Sequence, residues 1–203
     1  MEKTKPIFRK AGGSMDIKPE TKLVEKMEEV AEMESGSSSI VELLQKQVNH
    51  EFENERLYLS MALWCEENGY PETAQFFSTH AVEEERKHGM DFINHMLKRK
   101  IKVLTPAPAP SKREYNDMKE VLSDAVKREI MTTKMIAKIL HESCMAQDLA
   151  YTIAKKYMDE QLEEEQLFNS LENLYDMCNG SRIDFEMEVS ALKGSGKYKI
   201  GDL

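Results

Sequence analysis

A chain of 203 residues with 32% charged side chains and few glycines or prolines is long enough for one domain with a sizeable core. It contains no apolar run of the roughly 18 residues that would read as a membrane span. Its net charge of −9 argues against a general nucleic-acid binder, which needs a basic face, and is compatible with a cation partner.

The three cysteines, Cys65, Cys144 and Cys178, are scattered without metal-type spacing and read as reduced thiols. The N-terminus lacks the apolar stretch of a secretory signal, so a cytoplasmic location is expected. Residues 1–38 read as a flexible extension. Met1 to Lys10 is basic, Ala11 to Ser14 is a break, Lys18 to Glu34 is charged with helical propensity, and Ser35 to Ser39 has linker composition.

Helix one is expected from Ser39, a suitable N-cap, to Asn68, where Asn68-Gly69-Tyr70-Pro71 ends it. Its inward stripe reads Leu44, Val48, Glu51, Glu55, Tyr58 and Ala62, in steps of three and four. Helix two should span Glu72 to Arg99. Ala74, Phe77, Ala81, Phe92 and Met96 mark its buried face, and Glu85 and His88 fall on the same line. The segment Lys100 to Asn116 centres on Thr105-Pro106-Ala107-Pro108-Ala109-Pro110, whose alternating prolines favour an extended path of about 3.1 Å per residue. That is long for a hairpin between neighbouring helices. It suits a crossover along a four-helix bundle, leaving helices two and three parallel.

Helix three is expected from Asp117 to Met145, with Leu122, Ala125, Val126, Glu129, Ile136 and Leu140 on its stripe. Helix four follows a turn at Ala146-Gln147-Asp148 and reaches Cys178, with Tyr157, Gln161, Glu164, Phe168, Leu171 and Tyr175 inward. Asn179-Gly180-Ser181 stops it, and a short amphipathic segment, Asp184 to Leu192, precedes a Gly-Ser-Gly tail. The expected layout is an extension over 1–38, a bundle over 39–178, and a short C-terminal helix and tail over 179–203.

Each long helix therefore carries a carboxylate on its inward line: Glu51, Glu85, Glu129 and Glu164. A buried carboxylate without compensation costs several kcal/mol or takes up a proton, and like charges raise one another's pKa. Two divalent cations would neutralise four of them. A Glu-x-x-His step such as Glu85 to His88 is how dimetal carboxylate bundles hold a cation. An oxygen-rich set with one imidazole suits iron or manganese. His50 lies one step off the stripe and is expected to be exposed. His80, His95 and His141 are expected at the surface or an interface, and Trp64 in the core.

On these motifs the sequence resembles the bacterial non-haem ferritins over about residues 40 to 178. Helix one carries His-Glu-Phe-Glu-Asn-Glu-Arg-Leu-Tyr-Leu-Ser-Met-Ala-Leu-Trp-Cys, and helix two Ala-Val-Glu-Glu-Glu-Arg-Lys-His. Lys-Arg-Glu-Ile and Asp-Glu-Gln-Leu-Glu-Glu-Glu-Gln-Leu-Phe follow in helices three and four. The resemblance implies an all-α, ferritin-like four-helix bundle with one long crossover and a short C-terminal helix. It implies a di-iron ferroxidase centre in which Glu51 and His88 hold one iron, Glu85 bridges, and Glu129 and Glu164 hold the other. Gln161 would ligate weakly or hydrogen-bond, and Tyr58 would be a local electron donor. A third, looser iron site would use Glu84, Glu160 and Glu163. The implied reaction is oxidation of ferrous iron by dioxygen or peroxide, with storage as a ferric mineral in a hollow homo-oligomer of 24 subunits. No haem is expected. Another dimetal oxidase, such as a rubrerythrin-like peroxidase, is the alternative enzyme; it would normally show a second Glu-x-x-His, whereas Glu164 is followed three residues later by Leu167. A scaffold or cargo bundle docked through residues 1–38 is the non-enzymatic alternative. Glu55 and the extension depart from the family pattern.

Overall fold

The computed structural model describes residues 38–105 and 110–194. The expectations for 1–37, for the prolines within 106–109 and for the tail at 195–203 lie outside the described residues.

Helix α1 covers Ile40–Glu67. Ser39 starts it with a capping box: its hydroxyl accepts from the Glu42 amide, and the Glu42 carboxylate accepts from the Ser39 amide. The second rod is continuous but not uniform. It comprises α2 (Pro71–Thr79), a π-helical segment (His80–Glu85) and α3 (Arg86–Lys98). Helix α4 covers Met118–Met145, with the Asp117 carboxylate accepting from the Glu120 amide at its start. Helix α5 covers Ala150–Met177, and the Asp148 carboxylate accepts from the Ala150 amide at its entry. Asn179 and Gly180 both adopt positive φ and turn the chain into α6 (Arg182–Gly194).

The crossover is anchored at both ends of α1. The Gln45 side chain exchanges two hydrogen bonds with the backbone of Leu104, at 2.9 and 2.8 Å. Farther along α1, Ser60 Oγ donates to the Lys112 carbonyl at 2.5 Å and Arg113 pairs with Glu67 at 2.6 Å. The connection thus returns from the Gln45 end of α1 to its Glu67 end. The α2–α3 rod and α4 then run in the same direction, as the crossover argument requires.

Two apolar clusters fill the bundle. One, toward the crossover's exit, includes Tyr58, Met61, Phe77, Leu122, Phe168 and, from α6, Phe185. The other includes Leu44, Val48, Phe92, Met96, Ile136 and Tyr157. Each fully buried large side chain contributes roughly 1.5–3 kcal/mol of transfer free energy, so the two clusters can hold a polar layer between them. Trp64 belongs to the first cluster, as expected.

Gly89 lets α3 approach α1 beside that layer. A Cβ there would lie 2.9 Å from the Phe52 ring and 3.3 Å from Glu51 Cβ.

Candidate metal centre

The polar layer is formed by the inward carboxylates of all four long rods. Glu51 and Glu129 are fully buried, Glu85 is 1% exposed, and Glu164 is 8% exposed. His88 and Gln161 join them and are equally enclosed. Ligand atoms of Glu51, Glu85 and His88 lie within 4.8 Å of one another, and so do those of His80, Glu85 and Glu129. Glu85 is common to both groups.

Few protein partners satisfy these oxygens. Gln47 donates to Glu51 Oε1 at 2.6 Å, and Asn54 donates to Glu85 Oε2 at 3.2 Å. Glu129 accepts from the Tyr58 hydroxyl and from Gln161 Nε2, the latter at 2.7 Å. Glu51 Oε2 and Glu85 Oε1 are buried with no hydrogen bond, each of a kind that costs about 1–3 kcal/mol to leave unmade. Burial, reinforced by the charge of Glu85, holds the Glu51 carboxyl well above the usual range. Burial and Glu129 do the same to Glu85, and burial with Glu129, Glu85 and Glu51 to Glu164. Burial and the neighbouring Glu129 also raise the Tyr58 hydroxyl. A cluster of acids destabilised as anions, with two oxygens left without hydrogen bonds, is one that a cation would stabilise. The donor chemistry fits a hard or borderline divalent cation.

The outer layer differs. His88 Nε2 lies 3.3 Å from Glu160, 3.6 Å from Glu164 and 3.8 Å from Glu84. Glu84, His88 and Glu160 form a third convergent group, but Lys87 Nζ sits 2.8 Å from Glu84 and 3.3 Å from Glu160. The hydrogen bond to His88 pulls the Glu160 carboxyl down to about 2. Glu163 is exposed and supplies no ligand atom to these groups.

A family model described as a ferritin-like domain matches residues 41–177. The chain belongs to the ferritin-like family. A probable bacterial non-heme ferritin-like protein of Haemophilus influenzae is 34% identical over 137 residues, spanning 66% of this chain and 82% of its own. A bacterial non-heme ferritin of Staphylococcus aureus is 28% identical over 160 residues, 76% of this chain and 95% of that one. An open-pore ferritin from Archaeoglobus fulgidus matches with a TM-score of 0.72 at 23% identity, over 78% of this chain and 98% of that one, which speaks for the fold alone. Membership of the ferritins ties the chain to iron storage in general terms. Among the described residues no helix is long and apolar enough to cross a membrane.

Two sequence expectations are overturned within this ferritin fold. His50 is 5% exposed rather than on the surface, and its Nε2 meets Thr132 Oγ1 at 2.9 Å. Burial, with Arg128 nearby, lowers it to about 3. His80 is 6% exposed and sits inside the bundle, packed against Tyr58, Phe76 and Phe168. The α-helical period misplaces it because residues five apart diverge on an α-helix and converge on a π-helix. Glu55 is half-buried and 3.6 Å from Arg86, outside the convergent groups.

Gln47 and Asn54 were not singled out by the carboxylate pattern either. Both lie one turn from Glu51 on α1, so extending the inward stripe to amides would have found them.

Proposed function

We propose that this protein is a ferroxidase of the iron-storage type. Two ferrous ions bind as substrate between the four rods, each gives up one electron, and a bridging oxidant takes the pair. With dioxygen, two protons complete hydrogen peroxide; with peroxide, two protons complete two waters. Glu51 and His88 hold one ion, Glu85 bridges, and Glu129 and Glu164 hold the other, with Gln161 orienting Glu129. The single observation that carries this reading is the burial of four carboxylates, one from each rod, around Glu85 and His88, with an oxygen of Glu51 and one of Glu85 left without a hydrogen bond.

Tyr58 is the proposed local electron donor. With a third ferrous ion, Tyr58 would supply the fourth electron that takes dioxygen and four protons to two waters, and its hydroxyl, which already donates to Glu129, can pass its proton to that carboxylate as the electron leaves. The proposed third iron at Glu84, Glu160 and Glu163 must displace Lys87 from the first two. We place the activity in a cytoplasmic, hollow homo-oligomer of 24 subunits that stores the ferric product as mineral. Exposed Leu63, Leu149, Leu162 and Met187 give the chain apolar surface for such contacts.

Stopped-flow oxidation of ferrous iron tests the reading. His88→Ala should leave the helical circular dichroism intact and slow oxidation by at least ~10-fold, the lower range for supporting groups at metal sites. Oxidation at the parent rate in a folded His88→Ala protein removes the proposal.

A further inference from the structure

We propose that His80 is itself a metal ligand, so that the centre has a second imidazole, on the Glu129 side. This rests on the ferroxidase reading and goes beyond it, because none of the helix-period reasoning that picks out the other ligands selects this residue.

On an α-helix, residues five apart are about 140° apart and cannot present side chains to one point. Between Ala81 and Arg86 the chain instead closes a hydrogen bond from the Arg86 amide to the Ala81 carbonyl, five residues back. That wider turn carries His80 and Glu85 to the same face, with Nε2 3.4 Å from Glu85 Oε1. The two atoms lack the alignment of a hydrogen bond, and both are buried without a partner. Ligand atoms of His80, Glu85 and Glu129 converge within 4.8 Å.

The ring is also held in place. It meets Tyr58 and Phe168 edge-on, with centroids 5.0 Å away in each case, and stacks on Phe76 at 6.1 Å. An imidazole clamped by three aromatic rings, with its nitrogen left bare beside two carboxylates, is arranged as a donor to a cation. The polar alternatives at that nitrogen are Glu85 and Glu129 themselves.

The assignment also makes the centre nearly symmetric. The inner layer then contains two triads, Glu51–Glu85–His88 and His80–Glu85–Glu129, each with two carboxylates and one imidazole, sharing Glu85. Dimetal bundles usually draw their second histidine from a Glu-x-x-His on another helix. Here α5 offers Leu167 at that position, and the π-turn supplies the imidazole from the rod that already carries the first. The second imidazole should raise the affinity of the Glu129-side position for zinc and other nitrogen-preferring divalent ions.

The test is a zinc soak of full-length crystals, read by anomalous difference maps at the zinc edge, with calorimetric titration of zinc into the parent, His80→Phe and His80→Gln. Zinc is redox-inert, so binding is read apart from oxidation. The expected result is a peak at about 2.0–2.1 Å from His80 Nε2, also bound by Glu85 or Glu129. His80→Phe should weaken one of two zinc sites by about 10-fold or more, leaving the His88-side site unchanged. If His80→Phe does not fold, His80→Gln and the parent maps decide. Zinc held by Glu129, Glu164 or Gln161 with His80 Nε2 beyond about 3 Å overturns the inference and leaves the ferroxidase reading standing. Absence of zinc anywhere between the rods overturns both.

Discussion

Two acidic clusters lie side by side in this bundle and solve their charge problem differently. In the outer one, Lys87 reaches Glu84 and Glu160, and His88 adds its ring to Glu160. In the inner one, Glu51, Glu85 and Glu129 accept from amides and a phenol, and Glu164 lies 3.6 Å from the His88 ring. The outer cluster is compensated by the protein; the inner cluster leaves bare oxygens at Glu51 and Glu85. The difference is the reason the proposed substrate cations are assigned to the inner cluster. A group that the fold neutralises itself gains less from a metal, whereas the four inner acids, which no Lys or Arg among the described residues pairs with, are costly as anions and would gain most from one.

The comparison breaks most completely at Glu85, the one residue shared by both inner triads. Glu85→Gln should cut the rate of ferrous oxidation by more than ~100-fold, beyond the range for supporting groups alone, in stopped-flow assays on folded protein. A rate within a few fold of the parent would mean that the inner cluster is not where iron reacts.

Lys87→Gln sharpens the contrast from the other side. Stripping the ammonium from Glu84 and Glu160 should convert the outer cluster into a cation site, seen as one additional zinc ion per chain in equilibrium dialysis. An unchanged stoichiometry would show that Lys87 does not hold that site closed.

Asn54 supports Glu85 from α1, donating to Oε2, and also bonds Thr132. Asn54→Ala should weaken zinc binding about 10-fold by calorimetry, with the number of sites preserved. Equal affinity would make Asn54 a packing residue only.

The smallest effect is on the metal-free protein. Glu164 has its carboxyl raised by burial and by its acidic neighbours. Its stabilising contribution is therefore complete below the ordinary value of 4.5 and is lost as the pH climbs through the raised one. Glu164→Gln should raise the metal-free melting temperature near neutral pH by about 2–4 °C for each kcal/mol recovered, and leave it unchanged below 4.5. With saturating zinc the order should reverse, because only the parent retains the ligand. A variant less stable than the parent without metal at neutral pH would contradict the electrostatic account.

Much of this was legible in the residues. Steps of three and four placed Glu51, Glu85, His88, Glu129, Gln161 and Glu164 on inward faces, and all six are buried. Ser39 and Asp117 announced helix starts through local chemistry that needs no tertiary context. The run from Lys100 to Asn116 read as a crossover because it was too long for a hairpin. What stayed hidden depends on departures from the ideal period. A regular α-helix puts His80 away from Glu85, and only the π-turn reunites them. His50 escaped because its burial depends on Thr132 from a helix 82 residues away in the chain. Lys87 escaped because its importance lies in where Glu160, on another rod, comes to rest.

The central claim is that the inner carboxylates exist to receive cations, and anaerobic titration of ferrous iron into the metal-free assembly tests it most directly. Parent protein should bind two ferrous ions tightly per chain, and Glu85→Gln should lose both. A parent that takes up no ferrous iron, or a Glu85→Gln variant that binds as many ions as tightly, would contradict the account.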